Sequence, residues 1–389
     1  MKKTLLVFFL FSYISGYTQT IFTKKFISNV THQERNLRIY LPQDYGVDTT
    51  KQYPMVFCLD GDYLFYATVG QCQPMAFSEV MPEVIIVGID QNLKQYESSK
   101  KYYRYSDGGY TKEGMLDSAG LLFKQMLFSE LIPHLESKYR IGPFKTVIGH
   151  SFTGTFVHFL FLEDDSPFSG YVSISPYVPE YINDKLVQKS KSLKTKKLFY
   201  RNYGSLDLSR HIETIQKSDS LLSMVNNSNF EYKCDSIVEG THFAMVYTDL
   251  NSGLKHVFQY YSGLDWTKMD EFSKLENPIT WYEDRLKTKQ SFGETNVTPN
   301  IDDLFILAYS LSEVENWEMM KQLGEYTILH FPKELYGYYI LGDAYRETKE
   351  YDKALEYFKK GYSYLGEDTM NKEDFYNSII EIEDILKNK

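Results

Sequence analysis

A serine stands in "VIGHSFTGTF" (147–156) between two apolar runs, with glycines on either side of it at positions 149 and 154. A serine hydroxyl is a weak nucleophile unless an imidazole takes its proton and a carboxylate holds that imidazole in the right tautomer. The chain has eight histidines, and His242, in "VEGTHFAMV", alone sits in a short loop between a strand candidate and a helix. His134 and His158 lie on apolar helical segments and read as packing residues, His256 lies on a late helix, and His150 is part of the serine turn itself. His32, His211 and His330 lack a strand-end setting. Asp207, in "YRNYGSLDLS", follows the penultimate strand candidate and suits the acid. Its rival, Asp235, falls inside the last strand candidate, where alternation makes it a solvated or capping side chain.

For Ser151 to act, it must sit in a turn so sharp that its neighbours are small, with a helix N-terminus behind it. The run "TVIGHSFTG" supplies a strand, Gly149 two residues before the serine, and a following helical run. Position 153 carries threonine where such turns usually have glycine, and its methyl group crowds the turn unless the facing residue is small. A short glycine-serine match is equally consistent with a serine that merely caps the helix. The negative charge of a tetrahedral intermediate needs N–H donors held ready for it. The backbone of Phe152 offers one, and the loop "CLDGDYLF" offers another at Asp62, after the tight turn that Gly61 allows. Asp60 and Asp62 read as a hard-cation pair only if further oxygen ligands cluster nearby, and none does, so no metal and no cofactor is expected.

These positions imply strands that end where the chemistry begins. Strand candidates run over 35–42, 53–60, 83–90, 144–150, 168–175, 196–203 and 230–238, several of them apolar on both faces, as strands covered by helices on each side must be. Between them, 117–139 carries apolar residues at helical spacing, opens on Asp117 as N-cap, and contains Pro133, which predicts a kink. The fold class is therefore α/β, a mostly parallel sheet with helices on both faces. The sheet domain runs over 19–263, and 264–300 forms a polar connector with one helix around 279–289. Beyond it, 301–389 repeats itself at an interval of 34: Leu304 with Tyr338, Leu307 with Leu341, Ala308 with Gly342, Leu311 with Tyr345, Met320 with Ala354. That period, with Phe358 on the next helix and Pro332 closing the first unit, predicts a small all-α region resembling the tetratricopeptide repeat, closed by an amphipathic helix over 371–387.

Bulk composition narrows the partners. The 389 residues carry a net charge of −10 with no basic patch, which argues against nucleic acid. The 34 tyrosines and 26 phenylalanines are spread along the whole chain, so most of them must serve packing rather than a ligand. Residues 1–18 have two lysines, an apolar run too short to span a bilayer, then small and polar residues, the layout of a secretory signal peptide cut after Thr18. An exported, periplasmic or secreted protein without stable membrane insertion is the expectation. The three cysteines, Cys58, Cys72 and Cys234, show no CxxC or His/Cys cluster and predict neither a disulfide framework nor a metal site.

Taken together, "LRIYLPQDY", "YPMVFCLDGD", "VIIVGID", "RYSD", "FSELIPHLESKYRI", "VIGHSFTG", "SISPYV" and "VEGTHFAMV" resemble the putative-esterase (esterase D) family of α/β hydrolases, which includes siderophore, feruloyl and acetylxylan esterases. The resemblance implies an α/β-hydrolase fold and hydrolysis of carboxylic esters through an acyl-enzyme. By the same resemblance Ser151 is the nucleophile, His242 the base, Asp207 the acid, and Asp62 and Phe152 supply the oxyanion N–H groups. The implied substrate is a siderophore or a carbohydrate-linked acyl or feruloyl ester. The tyrosine-rich segment 94–110 is read as part of the pocket rim, its lysines and Arg104 suiting an anionic or catecholate group. The alternative from another class is a catalytically silent binding protein that takes a protein partner on its helical repeats.

Overall fold

The computed structural model describes residues 20–47, 49–91, 107–111, 113–292, 297–364 and 372–388. The expected signal segment and positions 94–106 of the tyrosine-rich loop lie outside the described residues. The chain divides into two compact units: residues up to Phe77 together with Pro82–Val257, and Ser78–Met81 together with Phe258 onward.

The first unit is built on one eight-stranded sheet. Its strands are β1 (Thr20–Ile27), β2 (Glu34–Leu41), β3 (Tyr53–Cys58), β4 (Ile85–Ile89), β5 (Ile141–His150), β6 (Gly170–Ile174), β7 (Lys197–Leu206) and β8 (Phe230–Thr241), in the order β1-β2-β4-β3-β5-β6-β7-β8. The pairs β1/β2 and β2/β4 are antiparallel, and every later pair is parallel. Every residue of β3, β4 and β6 is buried, which is why these strands read as unbroken apolar runs rather than as alternation. The first strand was not anticipated. With Lys24 and Lys25 inside it and only one antiparallel neighbour, "TIFTKKFI" is a charged edge strand, and charge at a sheet edge masks the alternation.

Helices connect the strands: α1 (Gly61–Phe77), α2 (Ser118–Met126), α3 (Ile132–Lys138), α4 (Phe152–Leu162), α5 (Asn183–Ser192), α6 (Ser209–Leu222), α7 (Met245–Thr248) and α8 (Leu250–Val257). Asp117 caps α2 as expected, its carboxylate accepting from the Gly120 N–H at 2.9 Å. At Pro133 the helix does not break. A π-helical turn, Leu127–Leu131, joins α2 to α3, widening the spiral just before a residue that has no N–H to give to the preceding turn.

The order of the sheet decides where chemistry can occur. In a parallel sheet the carboxyl ends of the strands share one edge. Ser151, Ser175, Asp207 and His242 each come directly after a strand ends, β5, β6, β7 and β8 in turn, so four consecutive strands deliver them to the same edge. Strand β8 carries two extra residues between the partners Gly204↔Ile237 and Leu206↔Thr241, with Glu239 at φ 58°. This bulge re-aims the end of β8. At the bulge Gly204 lies so near Gly240 that a Cβ on it would run into the Gly240 backbone.

The second unit is helical: α9 (Pro278–Gln290), α10 (Ile301–Ser312), α11 (Trp317–His330), α12 (Leu335–Glu347), α13 (Tyr351–Tyr362) and α14 (Lys372–Lys387), each of the last four packing on the one before. The repeat positions are its core: Leu304, Leu307, Ala308, Leu311, Met320, Leu341 and Ala354 are all buried. A Cβ on Gly342 would lie 2.7 Å from the Phe358 ring, so the small residue at this repeat position is what lets α12 and α13 approach. Asn300 and Asn316 cap α10 and α11 through their side-chain oxygens. Among the described residues no helix is long and apolar enough to cross a membrane.

Candidate active site

Ser151 takes φ 58° and ψ −116°, a conformation that costs a side-chain-bearing residue on the order of 1–3 kcal/mol and persists only where the surroundings enforce it. The enforcement comes from hydrogen bonds on both sides. The Ser151 N–H donates to the Ile174 carbonyl at 2.8 Å, and its carbonyl accepts from the Thr155 N–H at 2.9 Å. Gly149 must be glycine, because a Cβ there would strike the Thr153 carbonyl, and Gly154 presses on β6, with a Cβ placed 3.0 Å from the Ile174 carbonyl. The serine occupies the N-cap position of α4, yet its side chain caps nothing. The capping role, open on sequence grounds, is therefore not the one this hydroxyl performs. Gly149→Ala is expected to lower stability by about 2–4 kcal/mol, read as a reduced urea midpoint with an unchanged slope.

Asp207 and His242 meet at this edge. His242 Nδ1 lies 2.7 Å from Asp207 Oδ1, and the Asp207 side chain is fully buried. Ser175 Oγ donates to Asp207 Oδ2 at 2.5 Å and the Leu208 N–H to Oδ1 at 2.6 Å. Burial alone pushes the Asp207 carboxyl up, but the bonds from His242, Ser175 and Leu208 outweigh it and hold the group below the usual carboxylate range. The carboxylate only accepts, so His242 Nδ1 carries a hydrogen. On its other side the backbone carbonyl of His242 accepts from His150 Nε2 at 2.8 Å, so this loop is tied to the residue just before Ser151. Asp235 is elsewhere, bonded to the Tyr200 hydroxyl at 3.0 Å and to Lys233 at 2.8 Å.

A family model for esterases, described as "Putative esterase", matches residues 28–234, more than half of the chain. The chain belongs to the putative-esterase family. Its members are carboxylic ester hydrolases, and the eight-stranded sheet with a helical second unit is the fold this esterase shares with solved structures. An uncharacterised protein from Capnocytophaga ochracea DSM 7271 is 18% identical with a TM-score of 0.63, over 94% of this chain and 100% of that one. An IroE-like serine hydrolase from Shewanella oneidensis is 21% identical with a TM-score of 0.56, over 80% of this chain and 100% of that one. The uncharacterised protein YjcH of Bacillus subtilis (strain 168) is 26% identical over 175 residues, 43% of this chain and 67% of YjcH.

In front of the turn the esterase has an open cavity of about 570 Å³ lined by Tyr110, Ser151, Phe152, Tyr177, Arg210 and His211, among others. The Phe152 ring stacks on Tyr110 with centroids 5.8 Å apart, and the Arg210 guanidinium lies 4.3 Å over the Tyr177 ring while donating to its hydroxyl at 2.7 Å. Phe152 opens α4, and Asp62 sits in the first turn of α1, where helical geometry leaves N–H groups without intrahelical acceptors. The Asp62 carboxyl is raised by burial and accepts from the Gln91 N–H at 3.0 Å.

His211 is the residue that sequence reasoning passed over. It lies in the first turn of α6, donates a hydrogen bond from Nδ1 to the Ser175 carbonyl at 3.0 Å, and sets its ring edge-on to His242, centroids 5.1 Å apart at 89°. A carbonyl only accepts, so His211 Nδ1 bears the proton, and burial keeps the ring below the usual histidine range. Its one sequence signal is position, four residues after Asp207. Asp207, His211 and His242 form a cluster whose ligand-capable atoms lie within 4.8 Å of one another, but both Nδ1 atoms and the carboxylate are already used in hydrogen bonds among themselves and Ser175. By contrast, His158 is buried beside Phe199 as a packing residue, as expected, its pKa lowered to about 3 by burial, and His256 is buried on the Glu231 carbonyl.

Thr153 does not crowd the turn. Its hydroxyl accepts from the His150 N–H at 3.0 Å and donates to Asp60 Oδ2 at 2.7 Å. Thr153→Val, equal in shape, strands a buried N–H and withdraws one donor from a buried carboxylate. It is expected to cost about 1–3 kcal/mol in denaturant unfolding.

Proposed function

We propose that this chain hydrolyses carboxylic esters in two steps with Ser151 as nucleophile, His242 as general base and Asp207 as the group that holds His242. His242 Nε2 takes the Ser151 proton as Oγ attacks the acyl carbon. The oxyanion is received by the N–H groups of Phe152 and Asp62, and His242 returns the proton to the departing alcohol. A water molecule, deprotonated by the same nitrogen, then attacks the acyl-serine, releasing the acid and restoring the hydroxyl. The observation that carries this reading is a strained serine at a cavity floor on the sheet edge where an imidazole is bonded to a buried carboxylate at 2.7 Å. A fluorophosphonate probe is expected to label the chain once, at Ser151, as read from the modified peptide. An unlabelled chain at neutral pH overturns the reading.

The cavity supports an aryl ester as substrate. Three of its lining side chains are tyrosines, Tyr110, Tyr177 and Tyr181, and Arg210 is its cation. Rings offer faces to a flat aromatic group, and a guanidinium pairs with a carboxylate or a catecholate. Arg210→Met is expected to lower the ratio of kcat/KM for an anionic over a neutral aryl ester up to about tenfold, a change equivalent to about 1.4 kcal/mol. Export by the first 18 residues belongs to the same reading, and mass measurement of the secreted N-terminus checks it.

A further inference from the structure

His211 lies against His242, and the two-step hydrolysis leaves it without a role. It is fixed by Ser175, the residue just past β6, which is fully buried at φ 46°. The Ser175 N–H donates to the Asn202 carbonyl at 3.1 Å and to Asn202 Oδ1 at 3.2 Å, and Asn202, itself buried, donates from Nδ2 to Asp249 Oδ2 at 2.6 Å. With its backbone locked in this way, Ser175 gives its hydroxyl hydrogen to Asp207 at 2.5 Å and receives at its carbonyl the N–H of His211 Nδ1 at 3.0 Å. One serine thus sets both the acid behind His242 and the imidazole beside it.

The chemistry of the second ring nitrogen follows from the first. Nδ1 carries the hydrogen, and burial keeps the ring below the usual histidine range, so Nε2 is left as a lone pair that can only accept. Among the described residues no group bonds it. His211 lines the same cavity of about 570 Å³ as Ser151, and its ring centroid stands 5.1 Å from that of His242. Two hydrogen bonds of about 2.9 Å from one oxygen reach acceptors about 5 Å apart, so a molecule donating to His242 is within range of His211 as well. Such a molecule must donate twice from one oxygen. Water does so, whereas the oxygen of a simple alcohol has a single hydrogen, and the base takes it.

We propose that His211 is a further catalytic residue, accepting through Nε2 the second hydrogen of the water that opens the acyl-serine, and that this contact commits the acyl-enzyme to hydrolysis over transfer to an alcohol. The proposal rests on the reading of Ser151 as nucleophile and His242 as base. In the step itself His242 Nε2 takes one proton of the water as the water oxygen bonds the acyl carbon. The other O–H bond stays whole and points to His211. The bond from the acyl carbon to Ser151 Oγ then breaks, and the proton on His242 passes to Oγ, leaving the free acid and the serine hydroxyl. Acylation has no water in it, so His211 acts in the second half of the cycle and not in the first.

Stopped-flow hydrolysis of p-nitrophenyl acetate separates the two halves, the burst of nitrophenol reporting acylation and the steady rate deacylation. His211→Phe keeps a ring against His242 and loses the acceptor. Its steady rate is expected to fall about tenfold, with the burst rate within about twofold of the unaltered chain. With methanol added, the ratio of methyl acetate to acetic acid is expected to rise about tenfold, because methanol never made the lost contact. This ratio is set after the acyl-enzyme has formed and is counted per turnover, so neither a slow first step nor a smaller folded fraction alters it. His211→Gln, whose amide can donate to the Ser175 carbonyl and offer an oxygen to water, is expected to bring the ratio back to within about threefold of the unaltered chain. An unchanged ratio in His211→Phe overturns the proposal. So does a burst slowed as much as the steady rate, which is what a merely structural support of His242 produces. If the unaltered chain releases no nitrophenol, the esterase reading itself has failed. If it turns over and the variants match its product ratio, only the role of His211 is lost.

Discussion

Ser151→Ala is expected to reduce kcat for p-nitrophenyl acetate about 10⁶-fold and to abolish fluorophosphonate labelling, since removing the nucleophile of such a site costs as much as removing the whole constellation. The substitution should leave the fold intact. The Ser151 side chain makes no cap hydrogen bond, its backbone bonds to Ile174 and Thr155 do not involve the hydroxyl, and alanine bears the same φ 58° strain as serine. An unchanged unfolding midpoint beside lost turnover is therefore the expected pair of results. Retention of more than about one part in a hundred of the activity places the nucleophile elsewhere, because the residual rate from oxyanion donors and binding alone lies about 10³–10⁴-fold above water, not within sight of the full enzyme.

Asp207→Asn is expected to lower kcat about 10⁴-fold while sparing the architecture. An amide turned toward His242 donates where the carboxylate accepted, so the imidazole proton is driven to Nε2, the atom that has to receive the Ser151 proton. Combined with Ser151→Ala it is expected to add almost nothing, because groups that act as one unit are not additive. The substitution has a second readout. The folded Asp207 carboxyl titrates below its ordinary range, so it contributes stability that is present above that range and lost as pH falls through the folded value. An amide at this position does not titrate and has no such contribution to lose, so unfolding midpoints measured from neutral to acid pH are expected to fall less steeply in the variant.

Much of this was legible because the chemistry is punctuated. Ser151, Asp207 and His242 each stand just past the end of a strand, and the sequence marks those ends with Gly149, the Asp207 turn and the "EGTH" loop. Strand ends in a parallel sheet share an edge, so three distant residues could be assigned to one margin of the sheet without knowing any distance. What stayed hidden are contacts that fold back on themselves. His211 follows Asp207 by four residues on a helix, and nothing in the sequence says that the first turn of that helix leans on His242. Whether Thr153 crowds the turn was left conditional on a small facing residue, because its bond to the carboxylate of Asp60, 93 residues away, is visible only in three dimensions. The first strand escaped because its lysines broke the alternation, and the irregularity expected at Pro133 takes the form of a widened π turn just before it.

The near-contact of Gly204 with Gly240 has a mechanical consequence. It holds β7 and β8 backbone against backbone just before Asp207 and His242 leave the sheet. If the outer margin of the sheet loosens, the Asp207–His242 pair on β7 and β8 is expected to outlast its placement against Ser151 on inner strand β5. Loosening this enzyme by heat or mild denaturant should therefore cost it proton transfer from the hydroxyl before it costs it the imidazole's tautomer.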